Sequence, residues 1–166
     1  MGIALYGLPV AIAQGGRVAI HLGLTDIALV LALAAALLIL HEAIHAIAMR
    51  CYGARPIFGA TLVAVALPAL YVAAPGHRFS RGQFLVIAAA PAGLISVLGL
   101  LDGISPWGAL LILPLAAHLA GCSGDAAIFW QVARQARGTI VEDRKDGLVF
   151  LSSPAAGEAQ GRPLSP

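Results

Sequence analysis

The sequence predicts a mainly α-helical integral membrane protein, with three or four transmembrane helices and a short β-like or re-entrant segment between the first two core helices. Of its 166 residues, 60% are hydrophobic and only 11% are charged, and the mean hydropathy is +0.90. Soluble globular domains carry about 25% charged residues, so this composition lies well outside their range. Long apolar runs separated by short charged connections complete the pattern. We therefore expect the chain to lie in a bilayer.

Three apolar runs approach the roughly twenty residues that a helix needs to cross a bilayer core of about 30 Å. They are Ile27–Met49, Phe84–Leu101 and Trp107 to about Cys122. Thr25 and Asp26 are candidate caps before the first run, and Arg50 follows it at the expected interface. Pro114 interrupts the third run, and a membrane helix can accommodate it as a kink. These runs predict three spans.

Two further apolar segments contain residues that interrupt helices. Ile57–Ala74 carries Gly59, Pro68 and several β-branched valines, so we expect a membrane-dipping hairpin there. Met1–Ile20 is broken by Pro9 and two adjacent glycines. An interfacial segment, a re-entrant segment and a further short span all remain open for it.

The segments after the third run have mixed character. The chain after Ala126 predicts a short helix through Ala136, and Thr139–Leu151 predicts a small hairpin that turns at Asp143–Gly147. The tail Ser152–Pro166 is rich in Pro, Gly and Ser, and we expect it to be disordered. The chain thus divides into an N-terminal apolar or interfacial segment (1–26), a membrane core (27–137), a small cytoplasmic hairpin (138–151) and a disordered tail (152–166).

The distribution of charge predicts how the chain is oriented. Arg50, Arg55, Arg78 and Arg81 flank the predicted hairpin with no acidic residue between them, which indicates a cytoplasmic connection. We therefore expect a multi-pass protein of the cell membrane with its N-terminus outside and its C-terminal region inside. The basic residues are not interleaved with aromatic ones, so the expected partner is the lipid bilayer and not a nucleic acid. The oligomeric state is left open.

The first run contains the sequence His41-Glu42-Ala43-Ile44-His45 near its inner end. Residues four apart on a helix are offset by only about 40°, so His41 and His45 project toward a shared point where zinc can bind. Glu42 is placed to act as the base that activates water and then returns the proton to a leaving amine. Ionisable groups inside a membrane helix are costly and usually face a functional interior. The alternative is that the three residues make only polar contacts between helices.

A catalytic zinc site needs a third protein ligand and an open coordination position. We choose Asp125, which lies at the inner end of the third run at the predicted level of His45. The alternative is that Asp125 caps a helix beginning at Ala126. His118 lies near the same level and is the alternative third ligand, or a residue that supports one. Asp102 falls at the opposite membrane face and is discounted.

These motifs resemble those of the site-2 protease group of intramembrane zinc metallopeptidases, and more closely those of small zincin-like membrane proteins related to it. The similarity continues from the His-Glu motif through Ala48, Gly53 and Phe58. Ala90-Pro91-Ala92 resembles the Gly-Pro element of the group, although the Asn that normally follows is absent. Gly121–Asp125 is similar to the last signature, whose Asp completes the zinc site.

The resemblance covers about residues 27–128. It implies an all-helical membrane core with strand-like segments between the first two core helices. It also implies zinc held by His41, His45 and Asp125.

The residues and the resemblance together predict a zinc-dependent metalloendopeptidase that hydrolyses peptide bonds of a membrane protein or peptide, with an active site toward the cytoplasmic side. Two alternatives come from other classes. The first is a catalytically inactive membrane adaptor or metal-binding protein, which would have little need for the base Glu42. The second is a small ion- or proton-translocating protein, which is disfavoured because few polar residues occur in the other spans and no paired repeats occur.

Overall fold

The computed structural model describes residues 1–13, 15–16, 23–63, 67–102, 108–144 and 147–151. Its helices are α1 (Gly2–Ala13), α2 (Leu24–Cys51), α3 (Arg81–Asp102), α4 (Gly108–Gly121) and α5 (Ser123–Ala133). Its strands are β1 (Ile57–Val63), β2 (Leu67–Ala73), β3 (Arg78–Ser80), β4 (Ile140–Arg144) and β5 (Gly147–Leu151). The predicted mainly helical fold with a short β segment is confirmed.

Three helical stretches in the described part of the chain are long and apolar enough to cross a membrane. They are α2, α3 and the nearly continuous pair α4 and α5, which together cover Gly108–Ala133. The first two include their predicted runs. The third predicted run began at Trp107, which lies outside the described residues, and the helical stretch extends eleven residues beyond Cys122 because α5 follows α4 after a single turn residue. The predicted short helix after Ala126 is thus part of this third stretch and ends at Ala133.

The ends of α2 differ slightly from the predicted caps. Gly23 occupies the N-cap position, and its N–H donates to Asp26 Oδ2 at 3.0 Å, so Asp26 supports the first turn from within the helix. At the other end Gly53 has a φ of 82°, a conformation that favours glycine, and its N–H donates to the Arg50 carbonyl. The chain therefore turns sharply from α2 into the β segment.

The segment between α2 and α3 forms the predicted hairpin. β1 and β2 are antiparallel, with Ile57 opposite Ala73 and Val63 opposite Leu67. Gly59 lies opposite Tyr71, whose ring occupies the space that a side chain at residue 59 would need. The turn residues 64–66 lie outside the described residues, and insertion of the hairpin into a membrane stays a prediction.

A second sheet lies beside the start of α3 and the end of α5. β4 and β5 form the predicted C-terminal hairpin, and β3, which the sequence did not predict, adds to β4 to give the order β3-β4-β5. The buried Phe79, Phe84, Val132 and Val141 pack together where this sheet meets the helices. Arg78 and Arg144 both donate to Glu142, and these guanidinium groups hold the pKa of its carboxyl below the usual value.

The sheet also contacts the end of the first hairpin and the end of α5. Asp143 Oδ2 accepts the Ala74 N–H at 2.7 Å, and the Asp143 carbonyl accepts the Gly76 N–H. Arg81, the first residue of α3, donates to the carbonyls of Val132 and Ala133 at the end of α5. A cation at the C-terminus of a helix is favourable, so Arg81 holds α5 against α3.

The N-terminal segment, left open by the sequence, contains the helix α1. At 12 residues α1 is about 18 Å long, too short to cross a bilayer core by itself. It packs against α4, and its buried Tyr6 hydroxyl lies 2.9 Å from Ser96 Oγ on α3. Residues 14 and 17–22, like the tail 152–166 predicted to be disordered, lie outside the described residues.

Candidate metal centre

The residues of the His-Glu motif lie where α2 passes from an exposed half to a buried half. None of the residues 24–40 is buried, whereas His41, Glu42 and His45 are each at most 9% exposed. The helical spacing places both imidazoles on the face of α2 that meets α4 and α5, with their ring centroids 4.8 Å apart. The motif is therefore inside the helical bundle.

Asp125 reaches this face from α5. Its Oδ2 lies 3.0 Å from His41 Nε2, and its Oδ1 lies 3.3 Å from His45 Nε2. Because α5 begins at Ser123, Asp125 occupies the first turn of the helix, so the alternative that it caps a helix beginning at Ala126 is wrong. The structure brings together the three residues that the sequence singled out as ligands.

The donor set fits a catalytic zinc ion. With bonds of about 2.0–2.1 Å, neighbouring ligand atoms of a tetrahedral zinc site are separated by about 3.3 Å. The two distances from Asp125 to the imidazoles are 3.0 and 3.3 Å, and one donor atom from each of the three residues lies within 4.8 Å of the others. Two imidazoles and one carboxylate also leave a fourth position for water or substrate.

A backbone carbonyl of α3 orients His45. His45 Nδ1–H donates to the Ile87 carbonyl at 3.0 Å, and its Nε2 is directed at Asp125. In the neutral imidazole this arrangement would leave the Nε2 lone pair for a metal ion. In an uninterrupted helix this carbonyl would accept the N–H of residue 91, but Pro91 has none. Pro91 therefore frees the acceptor that fixes the ring of His45.

His118 and Cys122 lie on the other side of the His41 ring. His118 Nε2 is 3.0 Å from His41 Nδ1, and Cys122 Sγ is 3.9 Å from the same atom. Because His41 Nε2 faces Asp125, His118 contacts the nitrogen of His41 that is turned away from the carboxylate. His118 thus contacts His41, and whether it supports a ligand or binds metal itself stays a prediction.

Glu42 faces a cavity of about 590 Å³ between α2, β2 and the α4–α5 junction. Residues of all these elements line the cavity, including His41, Glu42, Leu70, His118 and Asp125. The backbone N–H of Val72 in β2 lies near the Glu42 carboxylate. Glu42 thus lies beside the three donor residues and close to β2.

Comparison with known protein families identifies the group to which this geometry corresponds. The family model described as "Putative zincin peptidase" (DUF3267) matches residues 34–140, which is more than half of the chain. The chain belongs to this family. The matched region begins seven residues before His41, about two helical turns, and ends in β4, so it includes the whole cluster. No curated protein and no solved structure matches the chain.

Membership of the zincin peptidase family agrees with the metal site that the cluster suggests. Two other polar residues of the described chain, Asp102 and His77, lie away from the cluster. Asp102 ends α3 fifteen residues beyond Ile87, about 22 Å along the helix axis. His77 lies beside Phe79 near the second sheet, and His21 is outside the described residues.

Three features of the zincin-family site were not predicted from the sequence. They are the freed carbonyl of Ile87, the N–H of Val72 and the thiol of Cys122 beside His118. The last had a signal in the sequence, because His118 and Cys122 are four residues apart on a helix and so share a face. The other two are backbone groups, which no side-chain pattern reveals.

Proposed function

We propose that the chain is a membrane-embedded zinc metalloendopeptidase that hydrolyses peptide bonds of a membrane protein or peptide. The observation that carries the proposal is the convergence of His41, His45 and Asp125 beside the buried Glu42. Metal retention alone would need the three donors but no adjacent base. The family match to zincin peptidases supports the same reading.

In this proposal His41, His45 and Asp125 hold the zinc ion. When bound there, zinc would polarise the scissile carbonyl and make water easier to deprotonate. Glu42 takes a proton from the attacking water and delivers it to the nitrogen of the leaving amine. In this proposal the nearby Val72 N–H donates to one side of the Glu42 carboxylate and leaves its other lone pairs for water.

The outer edge of β2 is the proposed contact for the substrate backbone. Because the Val72 N–H lies near Glu42 on α2, we infer that it faces away from β1, the partner strand of β2. Residues two apart in a strand direct their backbone groups the same way, so Leu70 presents its N–H and C=O to the cavity that it lines. An extended substrate segment can pair with these groups and lie beside Glu42. A helical substrate must first unwind locally to do so.

The proposed site opens toward the cytoplasmic side of the cell membrane. Support comes from charge: Arg50 and Arg55 follow His45 within ten residues, and basic residues are enriched on the cytoplasmic side of membrane spans. The three apolar helical stretches support the membrane location, and the proposed orientation rests on the basic residues alone.

The decisive experiment measures metal content and cleavage on detergent-purified protein. We expect about one zinc per chain in the wild type and in Cys122→Ser, which lacks the thiol that could retain metal beside His41. In the Cys122→Ser background, zinc should be lost in His45→Ala and Asp125→Ala and retained without cleavage in Glu42→Gln. His77→Ala is the matched control, because this histidine lies outside the cluster and should leave zinc and cleavage unchanged.

Absence of zinc from carefully prepared wild type would overturn the proposal. Cleavage is measured by co-expressing the wild type with a panel of single-span membrane proteins. The inactive Glu42→Gln variant is co-expressed with the same panel to trap the proteins that bind. Stoichiometric zinc and substrate trapping without cleavage by the wild type would favour a membrane adaptor over a peptidase.

A further inference from the structure

A second set of potential metal ligands lies on the far side of His41. His118 and Cys122 are four residues apart, and the helical hydrogen bond from Cys122 N–H to the His118 carbonyl, 3.1 Å long, keeps them one turn apart on the same face. This face of α4 meets α2 at His41. The arrangement repeats, on the facing helix, the spacing that brings His41 and His45 together.

The separations within this set correspond to those of a thiolate metal site. With Zn–N bonds of about 2.0–2.1 Å and a Zn–S bond of about 2.3 Å, a tetrahedral site separates its nitrogens by about 3.3 Å and sulfur from nitrogen by about 3.6 Å. His41 Nδ1 and His118 Nε2 are 3.0 Å apart. Cys122 Sγ lies 3.9 Å from the first and 3.7 Å from the second.

We propose that His41 Nδ1, His118 Nε2 and Cys122 Sγ form a second binding site for a thiophilic d¹⁰ cation such as Zn²⁺ or Cd²⁺. A thiolate with two imidazoles suits such soft or borderline cations. The three donor atoms lie within 4.8 Å of one another, and His41 and Cys122 are buried. Binding releases the proton of the Cys122 thiol to solvent, so the site contributes one negative charge.

The two sites are alternatives because they share His41. A neutral imidazole has one unprotonated nitrogen, so ligation through Nδ1 places the proton on Nε2. In that tautomer His41 Nε2–H donates to Asp125 Oδ2, which lies 3.0 Å away. A cation in the Cys122 site therefore removes His41 from the set with His45 and Asp125. If the proposed peptidase function holds, this second position keeps the metal in an inactive form.

Cadmium titration of the detergent-purified full chain tests the second site. The chain has two cysteines, so a Cys51→Ser background leaves Cys122 as the only thiol. We expect ultraviolet thiolate-to-cadmium absorption that saturates at one Cd²⁺ per chain. Cys122→Ser should abolish this absorption, and Asp125→Ala should retain it because Asp125 belongs only to the first site. Ser123→Ala, next to Cys122 but exposed, is the matched control and should retain the absorption.

Cadmium bound by the Cys51→Ser protein without thiolate absorption would overturn the second site. Two Cd²⁺ per chain, one of them with thiolate absorption, would overturn the mutual exclusion. Zinc content of Cys122→Ser separates this inference from the peptidase proposal. If Cys122→Ser retains zinc and the Cys51→Ser protein shows no thiolate absorption, only the second site is rejected. If the Cys51→Ser protein shows thiolate absorption and Cys122→Ser loses zinc, only the first site is rejected.

Discussion

Pro91 provides a test of how a helix interruption orients His45, a proposed metal ligand. Replacing it with alanine restores an N–H that competes with His45 Nδ1–H for the Ile87 carbonyl, now 3.0 Å from His45. A typical intramolecular hydrogen bond contributes about 0.5–1.5 kcal/mol, and every 1.4 kcal/mol is about tenfold in affinity. Pro91→Ala should therefore weaken zinc binding by about 2- to 10-fold if the orientation of His45 depends on this bond.

The assay is competition for zinc against a chelator of known affinity, combined with thermal denaturation. Pro91→Ala gains a helical hydrogen bond but loses buried ring atoms, so its thermal stability should change little while its zinc affinity falls. Pro114→Ala is the matched control, since Pro114 is also fully buried within an apolar helix. Equal zinc affinities for wild type and Pro91→Ala, or equal losses for both prolines, would refute the reasoning.

Two further predictions concern stability. Asp143→Ala removes the acceptor of the buried Ala74 N–H and should lower the free energy of unfolding by about 1–3 kcal/mol, whereas Asp143→Asn keeps an acceptor oxygen. Because burial raises the pKa of the Asp143 carboxyl, the native state holds an extra proton between the ordinary and the raised pKa. Wild type should therefore gain stability relative to Asp143→Asn as pH falls through that window, and a pH-independent difference in chemical denaturation would contradict this. Gly99→Ala places a Cβ 2.7 Å from Leu115 Cδ1, so it should lower the free energy of unfolding by about 1–3 kcal/mol. Gly93→Ala is the control, because its Cβ would have no neighbour within 4 Å. Equal shifts in melting temperature for the two variants would contradict this packing.

The helical core was predictable because hydrophobic length is a local property of the sequence. The run 27–49 lies within α2, and the run 84–101 lies within α3. The third stretch was predicted too short, because Cys122 to Asp125 contains small polar residues and a glycine that interrupt the hydropathy pattern but not the helix. Strand β3 was missed because three residues carry little pattern, and its partner β4 lies about sixty residues later in the sequence.

The side chains of the candidate site were predictable from their spacing in the sequence, but the backbone groups around them were not. His41 and His45 share a face by helical geometry, and Asp125 was selected because it lies at the same predicted membrane level. That these residues act as ligands stays a prediction for the metal measurements. The supporting carbonyl of Ile87 depends on how α3 sits beside α2, which is a property of tertiary packing and has no local signal.

The length of α2 links the candidate site to the thickness of the membrane around it. At 28 residues α2 extends about 42 Å, compared with a hydrocarbon core of about 30 Å. A helix with this surplus tilts or projects from the bilayer. His45 lies six residues before the end of α2, about 9 Å along its axis. Thicker lipid would therefore draw Glu42 further below the headgroups, and thinner lipid would bring it closer to bulk water, so bilayer composition can set how well the base is hydrated.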